Sequence, residues 1–138
     1  MSGVKEWLAK ASGDLKSSRK LIKDDDETLD SAAYFTQQSA EKALKAYLIF
    51  RKQVVPRTHD LERLLELCMH YEPLFGHFLD DVLQLSPFAT YSRYPDDRFY
   101  VDRTDVLNAI SSAEKILKFV KSKIEIPEKT PQLELFEK

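Results

Sequence analysis

Between Ala33 and Leu48 the residues Ala33, Ala40, Ala43, Leu44, Tyr47 and Leu48 recur at helical spacing, which commits one face of this stretch to a core. The same stretch carries a polar face of unusual make-up. Gln37, Glu41 and Lys45 lie four residues apart and form one row, and Gln38 and Lys42 form a second row beside it. A solvated helix face carries mostly charges. Two adjacent amides followed by one Glu and two Lys read instead as a surface that meets something.

The remaining apolar pattern is helical as well. A first helix is predicted over 4–23, where Val4, Leu8, Ala11, Leu15, Ser18 and Ile22 alternate steps of four and three, with Trp7 and Leu21 widening the stripe. Ser2 is its expected N-cap, and the acidic run Asp24-Asp25-Asp26-Glu27 opposes the helix dipole at its end. The second helix spans about 30–52 and stops before Val54-Val55-Pro56. Thr58 is the expected N-cap of a third helix, whose buried stripe is Leu61, Leu64, Leu65, Cys68 and Tyr71. Pro73 opens a fourth, with Phe75, Phe78, Leu79, Val82 and Leu85 inward. Ser86-Pro87 marks a break, followed by a short helical piece over about 87–91. The last helix covers about 104–124 through Val106, Ile110, Ala113, Leu117, Val120 and Ile124. No stretch carries a strand pattern of useful length. The expected architecture is all-α, an antiparallel bundle of about five helices over residues 1–124, with 125–138 as a flexible extension.

Charge and composition narrow the function. The formal net charge of the 138 residues is -2, so steering of the whole molecule towards nucleic acid is not expected. Residues 31–63 differ, with six Lys/Arg against three acids. The single Cys68 excludes an internal disulfide and a cysteine-rich metal site, and on the core stripe it reads as a small core residue. Neither a signal peptide nor an apolar run of membrane-spanning length appears, so a cytoplasmic protein without membrane contact is expected. No catalytic triad, phosphate-binding Gly loop or zinc spacing is present, and no cofactor or metal is expected. His70 and His77 read as surface residues.

Polar residues that a core does not need gather in three places. These are the face of Gln37, Gln38, Glu41, Lys42 and Lys45; the segment Arg57-Thr58-His59-Asp60; and the segment Arg93-Tyr94-Pro95-Asp96. Lys and Arg suit phosphate, His59 suits proton transfer or phosphate donation, and Tyr94 offers a ring for stacking. The candidate ligand-binding residues are therefore Gln37, Gln38, Glu41, Lys42, Lys45, His59, Arg93, Tyr94 and Asp96. Each place also has a plain structural reading, as a helix start for the second and a turn for the third.

Three motifs in order, Ala33-Tyr-Phe-Thr-Gln-Gln-Ser-Ala-Glu-Lys-Ala-Leu-Lys-Ala-Tyr47, Arg57-Thr-His-Asp-Leu61 and Ser92-Arg-Tyr-Pro-Asp96, together resemble the HEPN family (higher eukaryotes and prokaryotes nucleotide-binding domains) over about residues 4–124. The resemblance implies a bundle of about five helices, frequent homodimers, and pairing with a minimal nucleotidyltransferase in a toxin–antitoxin-like module. It also implies either a nucleotide- or RNA-binding module or a metal-independent ribonuclease. The ribonuclease branch carries an Arg, four to six residues, then a His near the start of the last helix. Here Arg93, Arg98 and Arg103 occupy that region and no His follows them, so the resemblance favours the non-catalytic reading. Arg63 and His70 have the bare spacing, but at another place in the chain. The ribonuclease alternative would require His59 to replace the missing His.

Overall fold

The computed structural model describes residues 2–23, 26–89 and 101–133, with side chains described as far as Ile124. Among the described residues five α-helices make up the bundle: α1 (Ser2–Leu21), α2 (Leu29–Phe50), α3 (Leu61–Tyr71), α4 (Leu79–Leu85) and α5 (Arg103–Leu133). Short 3-10 turns, Asp26–Thr28, Pro73–Phe78 and Ser86–Ala89, join or extend them. No strand occurs among the described residues.

α2 is the central helix. It packs chiefly against α1 on one side and α5 on the other, with α3 beside it. Its small residues explain how. Ala32, Ala33, Ala40, Ala43 and Ala46 are fully buried, and each lets a neighbouring helix approach closely. Buried hydroxyls fasten α1 to it. Ser18 donates to the Ala32 carbonyl and Ser39 to the Ala11 carbonyl, both at 2.8 Å. Such a bond contributes about 1 kcal/mol, and an unpaired buried hydroxyl costs about as much or more. Ser18 on an otherwise apolar stripe is thus a tie between helices. At the other end of the core Tyr47, Phe75 and Phe119 stack edge to face, with centroids 4.7 Å and 4.9 Å apart.

The predicted stripes are largely buried: Trp7, Leu8, Leu21, Tyr71 and Phe78 are half-buried, and Leu79 is exposed. Leu79 departs because Pro73–Phe78 is a 3-10 segment rather than the first turns of one α-helix. With three residues per turn instead of 3.6, Phe78 rather than Leu79 follows Phe75 on the inner face, which Val82 and Leu85 then continue. Cys68 is fully buried, and burial pushes its thiol up to about 12. Its Sγ lies 3.6 Å from the Leu44 carbonyl, so it is a packed, unreactive group.

Helix ends differ from the sequence expectation in several places. Ser2 is the first residue of α1, not a cap outside it. The N-cap of α3 is Asp60, whose carboxylate accepts from the Arg63 N–H at 3.2 Å, while Thr58 accepts from the Asp60 N–H at 3.1 Å. The earlier hydroxyl supports the turn; the carboxylate closer to the helix caps it. α5 starts after Asp102, where Asp102 and Asp105 each accept the other's backbone N–H, a reciprocal cap. α5 also continues past Ile124 to Leu133, through Pro127 and Pro131. An internal proline removes one backbone bond and bends a helix, and it does not have to end it.

α2 ends in a tight reversal. Lys52 donates to the Ile49 carbonyl at 2.8 Å and Gln53 to the Leu48 carbonyl at 2.9 Å, the two bonds of a Schellman turn. The turn holds Lys52 at φ 62°, a left-handed conformation that glycine adopts without penalty. Lys52→Gly is expected to stabilise the fold by about 1 kcal/mol, since a left-handed residue with a Cβ costs about 1–2 kcal/mol. Urea unfolding checks this: a midpoint that rises at constant slope is expected, and a lower midpoint contradicts it.

Candidate functional site

The reversal at Lys52 turns the chain back over α2, so residues 57–60 lie against the polar row of that helix. At their centre is the Glu41 carboxylate. Its Oε1 accepts from Gln37 Nε2 at 3.3 Å and from Gln38 Nε2 at 3.4 Å. Its Oε2 takes the Lys45 ammonium at 2.9 Å. His59 Nδ1 lies 3.0 Å from one oxygen and 3.1 Å from the other. A carboxylate that accepts from all sides leaves Nδ1 only the donor role, which directs Nε2 outwards as the free ring nitrogen.

The second layer of bonds fixes the first. Gln37 also donates to the His59 backbone carbonyl at 3.3 Å, which pins the loop to the helix. Gln38 donates to Gln37 Oε1 at 2.8 Å, so the Gln37 amide is oriented from both ends. The Lys45 ammonium lies 5.6 Å from the centroid of the Trp7 ring, a cation–π contact from α1. No buried side-chain N or O among the described residues lacks a hydrogen-bond partner.

By sequence this polar face is expected to be exposed surface, and here the structure differs. Gln37, Gln38, Glu41 and Lys45 are all buried within the chain. Lys42 is half-buried and bonded to Asp14 of α1 at 2.6 Å. Helical periodicity shows which side chains share a face, but it does not show that another element lies across that face. The exposed member is His59, whose side chain is 66% accessible while that of Glu41 is 4%. Arg57, two residues upstream, is exposed on the same loop. The cluster is therefore a buried polar network with one imidazole at its surface.

Two contributors to this network are not apparent in the sequence. Trp7 reads only as an apolar residue widening a stripe, and no sequence pattern singles out Asp14; nothing local places them against Lys45 and Lys42. Arg93, Tyr94 and Asp96 lie outside the described residues. Arg63 and His70 are exposed on α3, and Arg63 pairs with Glu66 at 3.5 Å. Among the described residues no group of three or more His, Cys, Asp or Glu could hold a metal ion, and no helix is long and apolar enough to cross a membrane.

Fold and network together define a small all-α module that presents a carboxylate-oriented histidine at its surface. Comparison with known proteins gives the class. The family model described as HEPN domain matches residues 4–123, and the chain belongs to that family. Among solved structures it is similar to TT1696 from Thermus thermophilus, with a TM-score of 0.79 and 26% identity over 89% of this chain and 99% of that one. It is also similar to ST0689, an archaeal HEPN homologue, with a TM-score of 0.69 and 30% identity over 88% of this chain and 97% of the other. No curated protein matches the sequence.

The network makes a stability prediction. Glu41→Gln removes the charge that balances buried Lys45, and breaking a buried pair from one side costs about 3–5 kcal/mol. Urea unfolding of the variant is expected to show a loss of that size, with much of it recovered when Lys45→Met is added. A loss below about 1 kcal/mol, the value typical of an exposed pair, contradicts the burial described.

Proposed function

We propose that this chain is an HEPN-type module that binds a nucleotide or an RNA end at the His59 face. In this reading it acts as a homodimer and as the companion subunit of a minimal nucleotidyltransferase in a toxin–antitoxin-like pair. The observation that carries the ligand part is the His59 ring, exposed to solvent and held from behind by both oxygens of a buried carboxylate. Such an imidazole has one orientation and presents Nε2 outwards. Protonated, it donates to a phosphate oxygen, and the Glu41 carboxylate behind it balances the charge. Arg57 adds a guanidinium on the same loop, suited to a phosphate. The dimer and the nucleotidyltransferase partner are supported by family membership and by the order of the three sequence motifs.

A second reading is supported by the same pair. A histidine oriented by a carboxylate is the arrangement that a general base requires, so His59 could serve a ribonuclease. The missing Arg…His signature ahead of the last helix weighs against it.

Titration calorimetry with ATP, GTP and a short RNA separates the readings. The wild type is expected to bind at least one of them, and His59→Ala to weaken that binding about tenfold or more, the worth of one hydrogen bond to a charged group. Absence of binding to all three, or binding indifferent to the substitution, refutes the ligand site. RNA cleavage by the wild type that His59→Ala abolishes selects the ribonuclease. Light scattering on the same sample tests the dimer, with a mass near 16.0 kDa as the contradicting result.

A further inference from the structure

A groove between α1 and α5 lies apart from the His59 network. It has a volume of about 270 Å³. Leu15 and Leu117, both buried, form its floor. Arg19 and Glu114 meet across it at 3.1 Å. Further along, Arg103 at the start of α5 bonds to Asp26 and to the Ile22 carbonyl just past the end of α1, so the two helices run antiparallel. With Arg19 opposite Glu114, that direction sets Lys118 and Lys121 towards the Ser12 end of the groove, away from the Arg19–Glu114 pair.

The two lysines stand out by their lack of acids. Of the four α5 lysines between positions 115 and 123, Lys115 pairs with Asp81 at 3.1 Å and Lys123 with Glu72 at 3.3 Å. Lys118 and Lys121 have no carboxylate at ion-pair distance among the described residues. They are three residues apart on one helix face, where like charges repel. Among the described residues Glu114 is the one acid lining the groove, and it is engaged by Arg19. The described lining thus holds three cations against one acid, beside the Ser12 hydroxyl.

We propose that this groove is a binding site for a linear oligophosphate. Lys118 and Lys121 supply charge to the phosphate chain, the Ser12 hydroxyl donates to a terminal oxygen, and Arg19 closes the far end. From Ser12 to Arg19 the groove runs about 10 Å along the helix axis, room for an extended chain and more than one phosphate needs. Both a free oligophosphate and the triphosphate of a nucleotide have this chemistry. The site is independent of His59 and of the function proposed above.

The test is calorimetry of the full chain with inorganic tripolyphosphate, monophosphate and ATP. Tripolyphosphate is expected to bind and monophosphate to bind at least about tenfold more weakly. Lys118→Glu with Lys121→Glu is expected to weaken tripolyphosphate about tenfold or more, and the binding should fall with added salt. Glu114→Gln should tighten it. In the His59→Ala variant, which lacks the face proposed above, ATP binding tighter than tripolyphosphate identifies a nucleotide as the source; equal or weaker binding identifies the free chain. Circular dichroism verifies that each variant is folded. No tripolyphosphate binding, or binding equal in the double-lysine variant, overturns the proposal; loss only in His59→Ala moves the phosphate to the other site and overturns it equally.

Discussion

A carboxylate taken out of water has to be met on both oxygens, and in this bundle that requirement settles the arrangement of three separate elements. Glu41 is met by Gln37, Gln38 and Lys45 from its own helix and by His59 from the chain that follows. Lys45 in turn lies against Trp7 of α1. The charge pair alone would be a poor source of stability, because desolvation offsets most of the Coulombic gain. Its effect is on specificity: any other seating of the 57–60 loop or of α1 leaves a buried charge or amide without a partner.

The loop reaches that position through two local devices. A Schellman turn reverses the chain at the end of α2 even though Lys52, not glycine, sits in its left-handed position. Asp60 then starts α3 by capping it. Between them the backbone carbonyl of His59 is held by Gln37 and its ring by Glu41. A residue held at both its backbone and its ring loses little further freedom when a ligand arrives, which favours binding over a freely rotating side chain.

Much of the fold is legible in the sequence because apolar stripes at steps of three and four have one physical meaning. Ala11 to Ile22, Leu61 to Cys68 and Val106 to Ile124 bury as their spacing predicts, Leu8 is only half-buried, and Leu79 fails because a 3-10 segment precedes it. The candidate site is legible in a different sense. The residues that matter, Gln37, Gln38, Glu41, Lys45 and His59, all stand out as polar groups a core does not need, and the structure brings them into one network. Their direction does not follow from spacing. α2 is rich in alanine, so neighbours pack closely around it and cover a row that would otherwise face water. The role of Asp60 as cap is obscured by Thr58 two residues earlier, since both side chains suit a helix start.

Glu41 holds His59 through Nδ1. The direct measurement is the tautomer of the neutral His59 ring, read from its ¹⁵N shifts and two-bond ¹H–¹⁵N couplings by NMR. The proton is expected on Nδ1 in the wild type, with a shift towards the Nε2–H form usual for free imidazole when Glu41→Gln removes the carboxylate. A wild-type His59 already in the Nε2–H form, unmoved by that substitution, would contradict it.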